Sequence, residues 1–217
     1  MKTILIASQK GGSGKTTLTA HLAVEAQRDE QSQVFIIDTD KQGTLSLWHE
    51  RRETETPQRV DLPFSRLADG LKTLSERGAT YCFIDTAPTI SEQNTSLLRL
   101  VDLVLIPVRP SPADLWSVSE TVRLVKEMEQ PFLFVITQAK PQASITAQTI
   151  AALSEYGQVA KTFIADRVSY AAAMTGGRTA PELHPKSPAA QEITGLWNDM
   201  KSFFAENNNS IRRASHG

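Results

Sequence analysis

The chain opens Met1-Lys2-Thr3-Ile4-Leu5-Ile6-Ala7-Ser8-Gln9-Lys10-Gly11-Gly12-Ser13-Gly14-Lys15-Thr16-Thr17-Leu18. A short apolar run leads into a turn with three glycines, and a helical pattern follows at once. Glycines let successive backbone N–H groups turn inward, so the turn predicts an anion nest. A helix beginning at Lys15 points the positive end of its dipole at the same place. In such a cradle Lys15 reaches the β- and γ-phosphates of a nucleotide, the Thr16 hydroxyl ligates Mg²⁺, and Thr17 touches the α-phosphate. Gly11, Gly12, Ser13 and Gly14 supply the amides. The general pattern asks for glycine five positions before Gly14, and Gln9 stands there.

Working outward, short apolar runs alternate with longer helical patterns. Strands are expected at residues 3–8, 33–38, 80–85, 103–108, 132–137 and 160–164, with a weaker one at 59–62. Helices are expected at 15–28, 45–52, 65–77, 92–99, 113–129 and 145–155. Thr44 and Ser144 read as N-caps, Gly78 and Gly157 as helix stops. The strand runs are apolar on both faces, which suits parallel strands covered by helices on two sides. The predicted fold is therefore α/β, a doubly wound, mostly parallel β-sheet flanked by helices, with ligands bound beyond the carboxyl ends of the strands. Residues 178–188 read as a proline-containing loop before a last helix at 189–206. Its apolar positions Ile193, Leu196, Trp197, Met200, Phe203 and Phe204 share one face. Docking on the sheet is the plain reading of that stripe, an amphipathic membrane anchor the other. A single domain over 1–206 and a flexible tail over 207–217 are expected.

Composition narrows the classes. With 23 basic and 24 acidic side chains the formal net charge is −1, so an anionic partner must be met by a local patch. The one cysteine, Cys82, lies in an apolar run and excludes a disulfide framework or a cysteine-rich metal site. With no secretory signal pattern at its start, the chain is expected to be cytoplasmic. No apolar run approaches the ~20 residues that span a bilayer.

Two further strand ends carry acids. The second runs Phe35-Ile36-Ile37-Asp38-Thr39-Asp40-Lys41-Gln42, and alternate residues of an extended segment share a face, so both carboxylates can look towards the phosphates. The strand ending Phe83-Ile84-Asp85 offers Asp85 to magnesium through water. Taken singly, each is also what an ordinary polar strand end looks like. Their register with the glycine loop is what gives them meaning. Lys10, by its own chemistry, is either a solvated loop lysine or a second cation for the phosphates.

Lys10-Gly11-Gly12-Ser13-Gly14-Lys15-Thr16-Thr17 resembles the deviant Walker A motif of the ParA/MinD family of ATPases. Asp38-Thr39-Asp40-Lys41-Gln42 resembles the family's first switch, with Lys41 where proline is usual, and Asp85-Thr86-Ala87-Pro88 its second, continued by residues 89–94. The resemblance implies ATP and Mg²⁺ as cofactors, and an ATP-bridged homodimer in which Lys10 contacts the partner subunit's phosphates. It implies that Asp40 handles the attacking water, that Asp38 supports the magnesium shell, and that Gln138 lies by the adenine. Pro107-Val108-Arg109-Pro110-Ser111-Pro112 resembles the proline-rich stretch of the small ParA proteins, at the dimer interface. A DNA-partition ATPase is the leading expectation: the ATP dimer binds nonspecific DNA and becomes nucleoid-associated, and a centromere-binding, ParB-like partner resets it. No membrane partner is implied. Candidate phosphate-backbone contacts are Lys161, Arg167, Arg178 and Lys186, with Arg212 and Arg213, although scattered basic residues are often simply solvated. The alternatives are an ATPase of the same build that positions a non-DNA cargo, and an ATP-dependent metabolic ligase of the dethiobiotin-synthetase type.

Overall fold

The computed structural model describes residues 1–88, 96–140 and 142–214, the stretch 208–214 by backbone alone. Six strands form one parallel sheet in the order β3-β2-β4-β1-β5-β6. They are β1 (Lys2–Ile6), β2 (Val34–Asp38), β3 (Gln58–Arg59), β4 (Tyr81–Asp85), β5 (Leu103–Val108) and β6 (Phe132–Ile136). The helices are α1 (Lys15–Gln27), α2 (Thr44–Glu50), α3 (Leu67–Glu76), α4 (Pro112–Glu127), α5 (Ser144–Ser154), α6 (Val168–Thr175), α7 (Ala180–Leu183) and α8 (Pro188–Ala214). The expected doubly wound sheet is what forms.

Alternation along each strand divides the core in two. Ile4, Ile6, Leu103 and Leu105 face α1 and α8, while Leu5, Val104 and Ile106 face α3, α4 and α5. The α8 stripe, Ile193 through Phe204, is buried against the first of these faces, and the Tyr81 and Trp197 rings meet edge to face at 4.9 Å. At about 1.5–3 kcal/mol per large apolar side chain, that burial holds the helix to the sheet. Cys82 is wholly buried and its thiol is pushed up to about 12 by desolvation, as a core residue's should be.

Several boundaries differ from those expected. Residues 160–164 do not form a continuous strand; two isolated parallel bridges, Phe134 to Val159 and Ala139 to Ala165, flank them. The reason is local: the Thr162 N–H donates to the Asp199 carboxylate at 2.7 Å instead of to β6. The expected loop at 178–188 contains α7, closed by a capping box between Thr179 and Glu182. α6 is not legible in the sequence, because eight residues rich in alanine carry too little periodicity to declare a helix. α8 continues past residue 206 to Ala214, since 207–214 contain no glycine or proline to stop the ladder. Gly43 and Ala143, one position ahead of Thr44 and Ser144, occupy the caps, and α4 is capped by Ser111. Residues 89–95, most of the expected 92–99 helix and the second-switch continuation lie outside the described residues.

Candidate functional site

The parallel pairing puts Ile6 beside Asp85, and Asp38 beside Asp85, at the carboxyl edge of the sheet. The glycine loop closes over that edge. Gly12 and Gly14 adopt left-handed φ of 72° and 92°, and the loop feeds directly into α1. Its carbonyls are pinned outward: the Thr137 hydroxyl donates to Ser13 O at 2.9 Å, and Gln138 Nε2 donates to Gly12 O at 2.7 Å. Among the described residues, no oxygen accepts from the amides of Gly11, Gly12, Ser13 or Gly14. Gln9 Nε2 and Ser13 Oγ are buried without a partner in the same loop. Donors collected in this way, beside the helix dipole, are a fitted seat for phosphate.

Lys15 is buried at the base of this seat, its Nζ 3.4 Å from Lys10 O. Desolvation draws its ammonium below the ordinary lysine value, while the charges of Asp85 and Asp40 oppose that shift. The cavity it faces, about 340 Å³, is bounded by Gly11, Gly12, Thr16, Asp40, Pro88 and Gln138, among others.

Thr16 and Asp85 meet at the carboxyl edge of the sheet, with Asp38 in register beside Asp85 on the neighbouring strand. Thr16 Oγ1 donates to Asp85 Oδ2 at 2.5 Å, and Asp85 Oδ1 accepts from the Thr86 amide. Burial pushes the Asp85 carboxyl up to about 7; the Thr16 hydrogen bond opposes that shift and the neighbouring Asp38 charge adds to it. Among the described residues, no cluster of three His, Cys, Asp or Glu side chains could hold a metal by itself. A hydroxyl with one carboxylate behind it suits Mg²⁺, which keeps waters and takes phosphate oxygens.

Asp38 and Asp40 divide their labour. Asp38 Oδ1 accepts from the Asp40 amide at 3.0 Å, and Oδ2 accepts from the Ser46 amide and hydroxyl at 2.9 and 3.0 Å. Asp38 thus braces the turn that carries Asp40, and Ser46 is a member of the site that sequence spacing alone did not single out. Asp40 lines the cavity, and its Oδ1 caps the Gln42 amide.

A second cavity of about 180 Å³ adjoins the first through Gly14, Thr17 and Gln138; Leu18, Ile164 and Tyr170 help to wall it. Its apolar walls suit a planar base. Arg167 stands at this cavity, and its guanidinium donates to Glu192 Oε1 at 2.6 and 2.9 Å while the Tyr170 hydroxyl donates to Glu192 Oε2. Arg178 is exposed and paired with Glu53, and Lys161 and Lys186 are exposed. Arg167, Arg178 and Lys186 line three different cavities, and the side chains of Arg212 and Arg213 lie outside the described residues.

Comparison with known proteins agrees with this geometry. The profile of the CobQ/CobB/MinD/ParA nucleotide binding domain matches residues 4–180. The chain is 27% identical over 208 residues to the maintenance of carboxysome distribution protein A of Halothiobacillus neapolitanus, covering 91% of this chain and 95% of that one. It is 28% identical over 134 residues to protein ParA of Rhizobium radiobacter, covering 60% of this chain and 59% of the other. Among solved structures, an ATP complex of a Cyanothece McdA superposes with a TM-score of 0.78 at 21% identity, over 93% and 96% of the two chains. At that identity the likeness is one of fold.

Proposed function

This chain belongs to the CobQ/CobB/MinD/ParA family of nucleotide-binding domains, as an ATPase with ATP and Mg²⁺ as its cofactors, and from that premise we propose that it is an ATP-switched positioning protein whose cargo is not a DNA partition complex. The observation that carries the reading is extent. The carboxysome-distribution relative matches along nearly its full length, whereas the ParA relative matches little more than half of each chain.

Each residue has a task in this reading. The loop amides and Lys15 hold the triphosphate, and Gln138 divides the phosphate cavity from the apolar one that takes the base. Thr16 and Asp85 would hold Mg²⁺, with Asp38 beside them, and the ion would supply neutralisation of phosphate charge. Asp40 accepts the proton of, or orients, the attacking water, and Asp38 keeps it aimed. Lys10 completes the partner subunit's site when two copies close around ATP, adding a cation where charge develops. The ATP dimer grips nonspecific DNA through Lys161, Arg178 and Lys186, and associates with the nucleoid in that state. Arg167 joins only by leaving Glu192. A partner protein on the cargo then stimulates turnover and release. Among the described residues, no helix is long and apolar enough to cross a membrane.

Plasmid partition is the second reading, favoured by the ParA relative. Deleting the gene separates the two. Unchanged plasmid retention with clustering of a cytoplasmic cargo supports positioning; plasmid loss with evenly spread cargo overturns it in favour of partition.

A further inference from the structure

Arg109 has no place in the machinery described so far. It follows β5 at the carboxyl edge of the sheet, where ligands of such folds bind. Its Nε and Nη2 donate to Asp114 Oδ1 and Oδ2 at 2.9 and 3.2 Å. Asp114 is only 4% exposed, and it accepts a further hydrogen bond from the Ser111 hydroxyl at 2.6 Å. A buried carboxylate, locked on three sides, therefore fixes the plane of the guanidinium; hydrogen bonds from Arg109 and Ser111 and the guanidinium charge hold its pKa below the usual range despite desolvation. The remaining nitrogen, Nη1, lies beside the phosphate loop, just outside the lining of the phosphate cavity: a Cβ built on Gly12 would lie 3.6 Å from it. Gly12 has no side chain to stand between them. An ion pair serving only to tie the strand exit to α4 would need no such placement.

We propose that Arg109 is a further cation of the nucleotide site, which favours the triphosphate over the diphosphate, and that Asp114 is its positioning residue. This rests on the reading of the site as an ATP site. The magnitude follows from the pairing. Arg109 and Asp114 are together formally neutral, so the phosphates feel a dipole with its positive end forward, not a full unit charge. The effect belongs near tenfold in affinity, far below the ~10³–10⁵ in rate that a free arginine finger supplies. It acts on the most negative ligand most strongly, which is why it discriminates by charge.

The test is to measure ATP and ADP affinities separately, with Mg²⁺, for the wild type, Arg109→Gln, Arg109→Lys and Asp114→Asn. Arg109→Gln is expected to weaken ATP about tenfold and ADP less than twofold. Arg109→Lys should recover part of the preference and lose its dependence on Asp114, because an ammonium cannot make the bidentate pair. A common loss for both nucleotides would make Arg109 a brace of the loop and overturn the proposal, as would no loss for either. If Asp114→Asn fails to fold, the two Arg109 variants still decide. A wild type that binds neither nucleotide would instead overturn the reading of the site on which the proposal stands.

Discussion

Among the described residues, Asp85 and His21 are buried titratable side chains with large shifts, and they pull stability in opposite directions. Asp85, raised from 3.8 to about 7, holds a proton in the fold that the unfolded chain has released, so its contribution is present below pH 4 and is lost as pH rises through 7. His21, lowered from 6.5 to about 4 mainly by burial, stays neutral in the fold; its contribution is present above pH 6.5 and is lost as pH falls through 4. Geometry agrees with the neutral ring: Nδ1 lies 2.8 Å from Thr17 O, and Nε2 accepts the Ala180 amide at 3.0 Å. In the nucleotide-free wild type the two slopes offset each other between pH 4 and 6.5. Asp85→Asn should expose the His21 slope, so that the variant loses stability on acidification more steeply than the wild type. Urea midpoints at pH 4.5, 5.5 and 6.5 check this; parallel profiles would contradict the Asp85 assignment. Chemistry at this scale was legible where it is contiguous. Lys15, Thr16, Asp40 and Asp85 announce themselves by spacing from glycines or from the end of an apolar run. Arg109 and Ser46 do not, because what matters is the orientation a neighbour imposes, and Asp114 and Asp38 impose it through hydrogen bonds that no spacing encodes.

At the scale of elements, the segment after α6 ties the middle of α1 to the end of α2. Arg52, on the turn after α2, donates to Gly177 O and to both oxygens of Glu182, and its guanidinium lies over the Trp48 ring at 4.8 Å. Trp48 Nε1 donates to Arg178 O, and the His21 ring reaches Ala180 from α1. Gly177 makes this possible: its φ is +70°, and a Cβ there would lie 2.4 Å from the Arg51 carbonyl. Gly177→Ala should cost at least about 2 kcal/mol, from left-handed strain added to backbone contact. Chemical denaturation of the purified variant measures it, and a loss under about 0.5 kcal/mol would mean the segment is not tied as described. The hydrogen bonds of this tie are not legible in the sequence, since they join residues 125 to 159 positions apart. The alternating strands and helices were readable, because burial on both faces of a parallel sheet writes itself into unbroken apolar runs such as Leu103-Val104-Leu105-Ile106.

For the whole molecule, the surface beside the nucleotide cleft is where two copies should meet. Trp116 is 77% exposed near the start of α4, just beyond the proline-rich exit from β5, while Trp48 and Trp197 are buried. Closure of an ATP dimer over that stretch should bury Trp116 and shift tryptophan emission to the blue on adding Mg-ATP, and Trp116→Phe should abolish the shift. A shift that survives the substitution would place the change elsewhere. The dimer itself is tested most directly by mass. Light scattering on the Asp40→Ala protein, which should bind ATP without hydrolysing it, is expected to give twice the chain mass in Mg-ATP and the chain mass in Mg-ADP, with Lys10→Ala returning the ATP form to a monomer. A mass that is the same in both nucleotides would contradict the ATP-switched account.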